Sequence, residues 1–276
     1  MLENTDAGLR YPPIMKILLT GSTGFLGTRI AEELQLRGLA WRPLRVRLHQ
    51  IQPADLEGAS TVIHCAGLIP GRSCRNEDFF EVNAAGTSRL LELCEQSGVR
   101  RFIYISSMGV KFASAYAQSK LSAEERVKRS CLEWLVLRPG HVYGPNDHLR
   151  GTFRKLKKKM IWSLLGFGRS LIHVIYVKDC ATAIVEATLS SRARETLNLV
   201  APECSELDYI RTLRKVVGSK ILLIPTPLFL ARMRKGRLAV DIRTAGLRIP
   251  GVADWDFSPT LLETAMREIH ESFEAK

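Results

Sequence analysis

Thr20-Gly21-Ser22-Thr23-Gly24-Phe25-Leu26-Gly27 joins the apolar run 16–20 to residues 25–37, which are apolar at Leu26, Ile30, Ala31 and Leu34. The run reads as a strand, and the spacing reads as a helix closed by Gly38. Glycines at 21, 24 and 27 let the chain turn tightly, approach a pyrophosphate and pack helix on strand. The helix N-terminus adds free N–H groups and the positive end of a dipole. A glycine triplet alone is also a plain tight turn. Its place between a first strand and a helix turns the reading toward dinucleotide binding, with Gly21, Thr23, Gly24, Phe25, Leu26 and Gly27 as contacts.

Outward from this turn, strands are predicted over Trp41–Val46, Thr61–Cys65, Phe102–Ile105 and Trp134–Leu137, with helices over 77–97 and Tyr116–Lys128. Pro43 makes the second strand an edge or an irregular one. Beyond 150 come a basic helix, a strand near 172–177 and a helix near 179–189. This alternation implies an α/β fold, a Rossmann-type doubly wound parallel sheet. The expected organisation is a flexible extension over 1–14 and a dinucleotide-binding core over 15–150. A mixed substrate lobe then covers 151–276, with elements near 170–200 returning to the core.

The chain has 276 residues, 46% of them hydrophobic and 25% charged, which is ordinary globular composition and excludes wholesale disorder. The six cysteines form no CxxC pair, and the six histidines have no metal-site spacing. Free thiols, a reducing compartment and no metal are therefore expected. No apolar run is long enough to span a bilayer, and residues 1–13 lack a signal peptide's apolar core, so a cytoplasmic protein is expected.

The net charge of +12 is concentrated in two places. Residues 150–176 hold seven Lys/Arg and residues 209–240 hold eight, neither with an acid, while the rest has 25 basic and 28 acidic residues. Lys155–Lys159 next to Trp162, Leu164, Leu165 and Phe167 resembles an interfacial membrane element, as does ILLIPTPLFLARM (221–233). An anionic small-molecule substrate and a solvated basic face remain alternatives. Nucleic acid is not expected, because interleaved aromatics are missing.

The strand 102–105 runs into Ser106-Ser107, and Tyr116 and Lys120 follow one helical turn apart, on one face. An ammonium and a nicotinamide ring near the phenol would lower its pKa from about 10 toward working range. A surface helical pair is the bland alternative, and the turn and strand around it favour the site. His64 reads as a packed core histidine. His173 and Tyr176 read either as substrate contacts or as core and rim positions. Arg45 and Arg47, at the end of the second strand, suit a 2′-phosphate and lean toward NADP, or simply solvate an edge strand.

Taken in order, TGSTGFLG (20–27), VIHCAG (62–67), FFEVNAAGT (79–87), RFIYISS (101–107), YAQSK (116–120), LRPGHVYGP (137–145) and VKDCATAI (177–184) resemble the extended short-chain dehydrogenase/reductases. Within them the chain is most similar to the NAD-dependent epimerase/dehydratase group, over about 15–200. The resemblance implies Ser107, Tyr116 and Lys120 as catalytic residues and Ala66-Gly67 at the adenosine ribose. It also implies Pro139 and Val142 beside the nicotinamide, His141 toward substrate, Asn83 as a helix-to-sheet tie and Asp179 as structural. It implies an NAD(P)-dependent oxidoreductase acting on a sugar nucleotide or other small substrate. An NADPH-dependent ketone or aldehyde reductase, or a non-catalytic dinucleotide binder at a membrane surface, are the alternatives, and a homodimer is a further expectation. Two departures stand out. The family's acidic-leucine pair on a third strand has only Asp55-Leu56 as candidate, and the stretch from Ser107 to Tyr116 is short.

Overall fold

The computed structural model describes residues 16–70, 74–145, 149–158, 160–235 and 253–274. β1 (Ile17–Thr20), the glycine turn and α1 (Phe25–Leu36) come first, followed by β2 (Trp41–Pro43) and β3 (Thr61–His64). A long helix then runs through α2 (Asn76–Phe79), a π-helical segment (Phe80–Ala85) and α3 (Gly86–Gln96). β4 (Arg101–Ile105), α4 (Ala115–Lys128) and β5 (Glu133–Pro139) follow. After them come β6 (His141–Tyr143), α5 (Leu149–Lys158), β7 (Ile161–Leu165), β8 (Leu171–Ile172), β9 (Val174–Tyr176) and α6 (Val177–Leu189). The chain continues through β10 (Glu195–Leu199), β11 (Cys204–Ser205), α7 (Glu206–Val217) and β12 (Leu222–Thr226). α8 (Leu228–Lys235), β13 (Ala253–Asp254) and α9 (Leu262–Glu274) complete the described elements.

Seven strands form one parallel sheet in the order β13-β10-β5-β4-β3-β1-β2. The order in which strands are added reverses at β1, which has β2 on one side and β3 on the other, and the glycine turn leaves β1 at this switch point. Successive residues of each strand face opposite sides, so both faces must be covered. Ile17, Leu19, Ile63, Ile103 and Leu135 pack with Ile30, Leu34 and Ile184 of α1 and α6. Leu18, Val62, Phe102 and Val136 pack with Leu90, Leu91, Ala123 and Val127 of α3 and α4. The result is the expected Rossmann-type architecture.

Four details depart from the sequence reading. β2 ends at Pro43, with a last bond from the Leu44 amide to the Leu19 carbonyl at 2.9 Å, so the strand expected to run to Val46 is shorter. β2 is the edge, as Pro43 suggested, and along the sequence no further strand comes between it and β3. Asp55-Leu56 instead closes a 3₁₀ turn in which Asp55 Oδ2 accepts from the Gln52 amide at 2.8 Å and Leu56 is buried. The helix expected over 77–97 carries the π-helical insertion, and the strand expected over 172–177 breaks at His173 into β8 and β9. The extension over 1–14 lies outside the described residues.

The C-terminal elements build a second core around Tyr143, Phe153, Leu156, Leu213, Met266 and Ile269. Phe25 and Leu26 of the glycine turn pack against it, so the lobe sits directly on that turn. β10 and β13, by contrast, rejoin the main sheet.

Candidate functional site

Gly21 adopts φ +70, and a Cβ there would come within 2.7 Å of the Ala66 amide nitrogen. A Cβ on Gly27 would come within 2.0 Å of the Gly21 carbonyl oxygen, and one on Gly24 within 3.2 Å of it. The three glycines are therefore packed on one another and on Ala66. α1 begins at Gly24 with no side-chain cap and no acid in its first turn, which leaves its first amides and the dipole end open to an anion. Thr23 lies in the same turn. Across the turn, Gly144 closes the wall. A Cβ on Gly144 would meet Phe25 at 3.3 Å and Val177 at 2.4 Å. Pro139 is buried at the end of β5, and Val142 is half-buried between the two cores. These residues fit the diphosphate and ring of a dinucleotide: bare glycine backbone, free amides and an apolar wall.

Ser107, Tyr116 and Lys120 come together at the C-terminal end of β4. The Ser107 side chain is hydrogen-bonded to the Tyr116 phenol and also accepts from the Gly109 amide at 3.0 Å. Lys120 Nζ donates to the Ile105 carbonyl at 2.7 Å and stands 4.6 Å from the centre of the Tyr104 ring. Burial lowers the Lys120 ammonium to about 8. Burial likewise raises the Tyr116 phenol above its ordinary value, with the Ser107 hydrogen bond opposing it. Phe79 fixes the tyrosine ring edge-to-face at 5.9 Å. The phenol is thus held neutral and oriented until positive charge arrives beside it.

Two buried polar networks hold this arrangement. In the first, Asn83 at the π-helical segment accepts from the Leu68 amide at 2.7 Å and donates to Ser119 Oγ at 3.1 Å, tying α4 to the end of β3. Its own carbonyl accepts from Thr87 Oγ1 at 2.6 Å, so Thr87 must accept from His64 Nε2 at 2.9 Å. Nδ1 of His64 is then the acceptor for Thr20 Oγ1 at 2.7 Å, while Thr20 accepts from the Ala66 amide at 3.0 Å. Every donor has one acceptor only if His64 is neutral with its proton on Nε2. His64 is thereby the packed histidine that its strand suggested.

Burial, with Lys120 nearby, pushes His64 down to about 3 from 6.5. Both states are neutral above pH 6.5, and below it only the unfolded chain takes the proton, so stability falls as pH falls. The expected slope is about 1.4 kcal/mol per pH unit from this residue, about 2 kcal/mol by pH 5. Urea melts at both pH values check it: His64→Gln should flatten that part of the slope.

In the second network Glu124, one turn beyond Lys120, accepts from Ser106 Oγ at 2.5 Å and from Arg138 Nε and Nη2 at 2.8 and 2.5 Å. Burial raises the Glu124 carboxyl, and the Arg138 and Ser106 hydrogen bonds outweigh this and leave it below the ordinary glutamate value. The sequence reading missed this pair. Its signals were an arginine inside an apolar strand and an acid on the lysine's own helix face.

The remaining candidates separate. Gly67 lies against the site, where a Cβ would be 2.9 Å from Asn83 Oδ1 and 3.7 Å from Lys120 Nζ. Arg45 and Arg47 are exposed on the segment leaving β2. His141 is exposed on β6, and its amide donates to the His173 carbonyl at 2.7 Å, while His173 itself is 3% exposed. Tyr176 is buried on β9 against Tyr143. Asp179 accepts from the Thr260 amide and hydroxyl at 2.8 and 2.7 Å, anchoring α6 to the C-terminal segment. All six cysteines are free thiols, and no metal-ligating cluster occurs among the described residues.

Comparison with known proteins places the chain among relatives of the same fold. The chain is 32% identical to a ceramide reductase of Caulobacter vibrioides, over 61% of this chain and 59% of that one. It thus spans about three fifths of that relative's length. It is 27% identical to a UDP-glucose 4-epimerase of Vibrio cholerae, over 77% of this chain and 79% of the other. The UDP-glucose 4-epimerase of Thermotoga maritima, solved with UDP-glucose, shares the fold with a TM-score of 0.73 at 20% identity, over 95% of this chain and 99% of that one. The sequence model of the NAD dependent epimerase/dehydratase family matches residues 17–199, and the chain belongs to that family.

Proposed function

We propose that this chain is an NAD(P)-dependent oxidoreductase working at a carbonyl or hydroxyl carbon of a small molecule. The observation that carries this reading is the meeting of Ser107, Tyr116 and Lys120 beside a glycine turn whose helix end is uncapped. A nicotinamide dinucleotide bound at the turn supplies hydride exchange. Ser107 orients the substrate oxygen, and Tyr116 gives or takes its proton. Lys120, held by the Ile105 carbonyl, biases the phenol toward phenolate by its charge.

Arg45 and Arg47, exposed on the segment that leaves β2, support NADP as the preferred form through charge-assisted contacts to a 2′-phosphate. Replacing both with serine should raise KM for NADP(H) roughly tenfold to a hundredfold, leaving NAD(H) unchanged. Equal loss for both cofactors would reject the assignment. Whether the cofactor is consumed separates the chemistries named for the relatives. The purified chain is given NADPH with long-chain ketones, and separately UDP-glucose with NAD. Stoichiometric NADPH oxidation marks a reductase, and sugar isomerisation without net cofactor change marks an epimerase. Activity in neither assay would sink the proposal and leave a dinucleotide-binding protein.

A further inference from the structure

The two acid-free segments of the sequence meet in space. β7 and β12 pair in parallel, Ile161 opposite Leu222, Trp162 opposite Leu223 and Ser163 opposite Ile224. Alternation puts Trp162, Leu164 and Leu223 into the lobe's core. Ile161, Leu222 and Ile224 occupy the other face and are exposed. α8 lies over the far end of that same face, with Ala231 packed on Leu165 and Leu228 close to Gly166. It turns Phe229, Leu230 and Met233 outward, 64%, 42% and 82% exposed.

The ends of this ribbon are basic. Lys158 shortly precedes β7 and Lys220 shortly precedes β12, at the same end of the parallel pair, with Lys155 on α5 before β7 and Arg169 in the segment after it. All four are exposed and make no ion pair among the described residues. Two acids of the lobe are engaged elsewhere: Glu274 pairs with Lys157, and Glu263 with Lys215 and Arg267. Exposed apolar side chains with unpaired basic residues at the ends of their ribbon match the boundary between acyl chains and anionic headgroups. A second copy of the chain fits less well, since a two-fold interface would set the same basic residues against themselves. No helix among the described residues is long and apolar enough to cross a membrane, so contact of this kind is peripheral.

We propose that the β7–β12 ribbon and α8 form a docking face for an anionic lipid bilayer. The face is separate from the Ser107–Tyr116–Lys120 site, and docking does not depend on turnover. The test is co-sedimentation of the full chain with phosphatidylserine–phosphatidylcholine vesicles and with phosphatidylcholine vesicles. The expected result is binding to the first, released by salt, and little to the second. A Lys155→Gln, Lys158→Gln, Lys220→Gln variant should bind roughly a hundredfold more weakly, because each basic residue near an anionic surface contributes about fivefold. Phe229→Ser with Met233→Ser should weaken binding on its own. These side chains are exposed, so melting curves should be unchanged. Equal binding to both vesicle types, binding unaffected by either variant, or a dimer in solution that the Phe229→Ser variant abolishes would overturn the proposal.

Discussion

Replacing Tyr116 by Phe should lower kcat by roughly two to four orders of magnitude, the usual worth of a positioned acid–base group. The ring stays in place, because Phe79 packs on it edge-to-face and the substitution removes only the hydroxyl. Cofactor affinity, read by fluorescence titration, should therefore hold. Burial raises the phenol above its ordinary value, so the proposed proton transfer at neutral pH needs positive charge beside it, which the proposed mechanism takes from Lys120 and the bound nicotinamide ring. Lys120→Met should accordingly reduce both kcat and cofactor affinity. Unchanged turnover in Tyr116→Phe would remove the tyrosine from the reaction.

Glu124→Ala should destabilise the chain by roughly 3–5 kcal/mol, because it leaves the Arg138 guanidinium buried without a counter-charge. Both side chains are nearly inaccessible, at 1% for Glu124 and 6% for Arg138. Replacing both by Met should recover much of the loss, since an apolar pair avoids the desolvation of two charges. Urea melts of the single and double variants check the stability. Activity adds a second readout. Ser106 adjoins Ser107, Glu124 lies one turn past Lys120, and Arg138 precedes Pro139, so the pair binds three site segments together. A double-Met variant that regains stability while keeping a lowered kcat would show that the ion pair positions those segments.

What the sequence revealed and what it hid follow from the range of the forces involved. The glycine turn was legible because its requirement is local: Gly21 needs a positive φ, and a Cβ at Gly27 would fall on the Gly21 carbonyl. Tyr116 and Lys120 were legible because four residues on a helix is a fixed geometry. Glu124 and Arg138 were not, since a buried charge is explained only by a partner on another element. The missing third strand was hinted at by a short connection, but that Asp55 caps a turn became visible only in three dimensions. Two basic, apolar segments could be named from sequence, yet nothing local indicated that β7 and β12 pair.

The π-helical segment Phe80–Ala85 works as a phase shifter. One residue of helix is about 100° of rotation, so a single insertion gives one continuous rod two independent angular settings. Upstream, Phe79 points at Tyr116; downstream, Leu90, Leu91 and Cys94 point at the sheet. A regular helix over the same span would have to sacrifice one of these alignments to keep the other. The inserted residue lets the site-facing end be set separately from the core-facing end, with Asn83 at the offset between them.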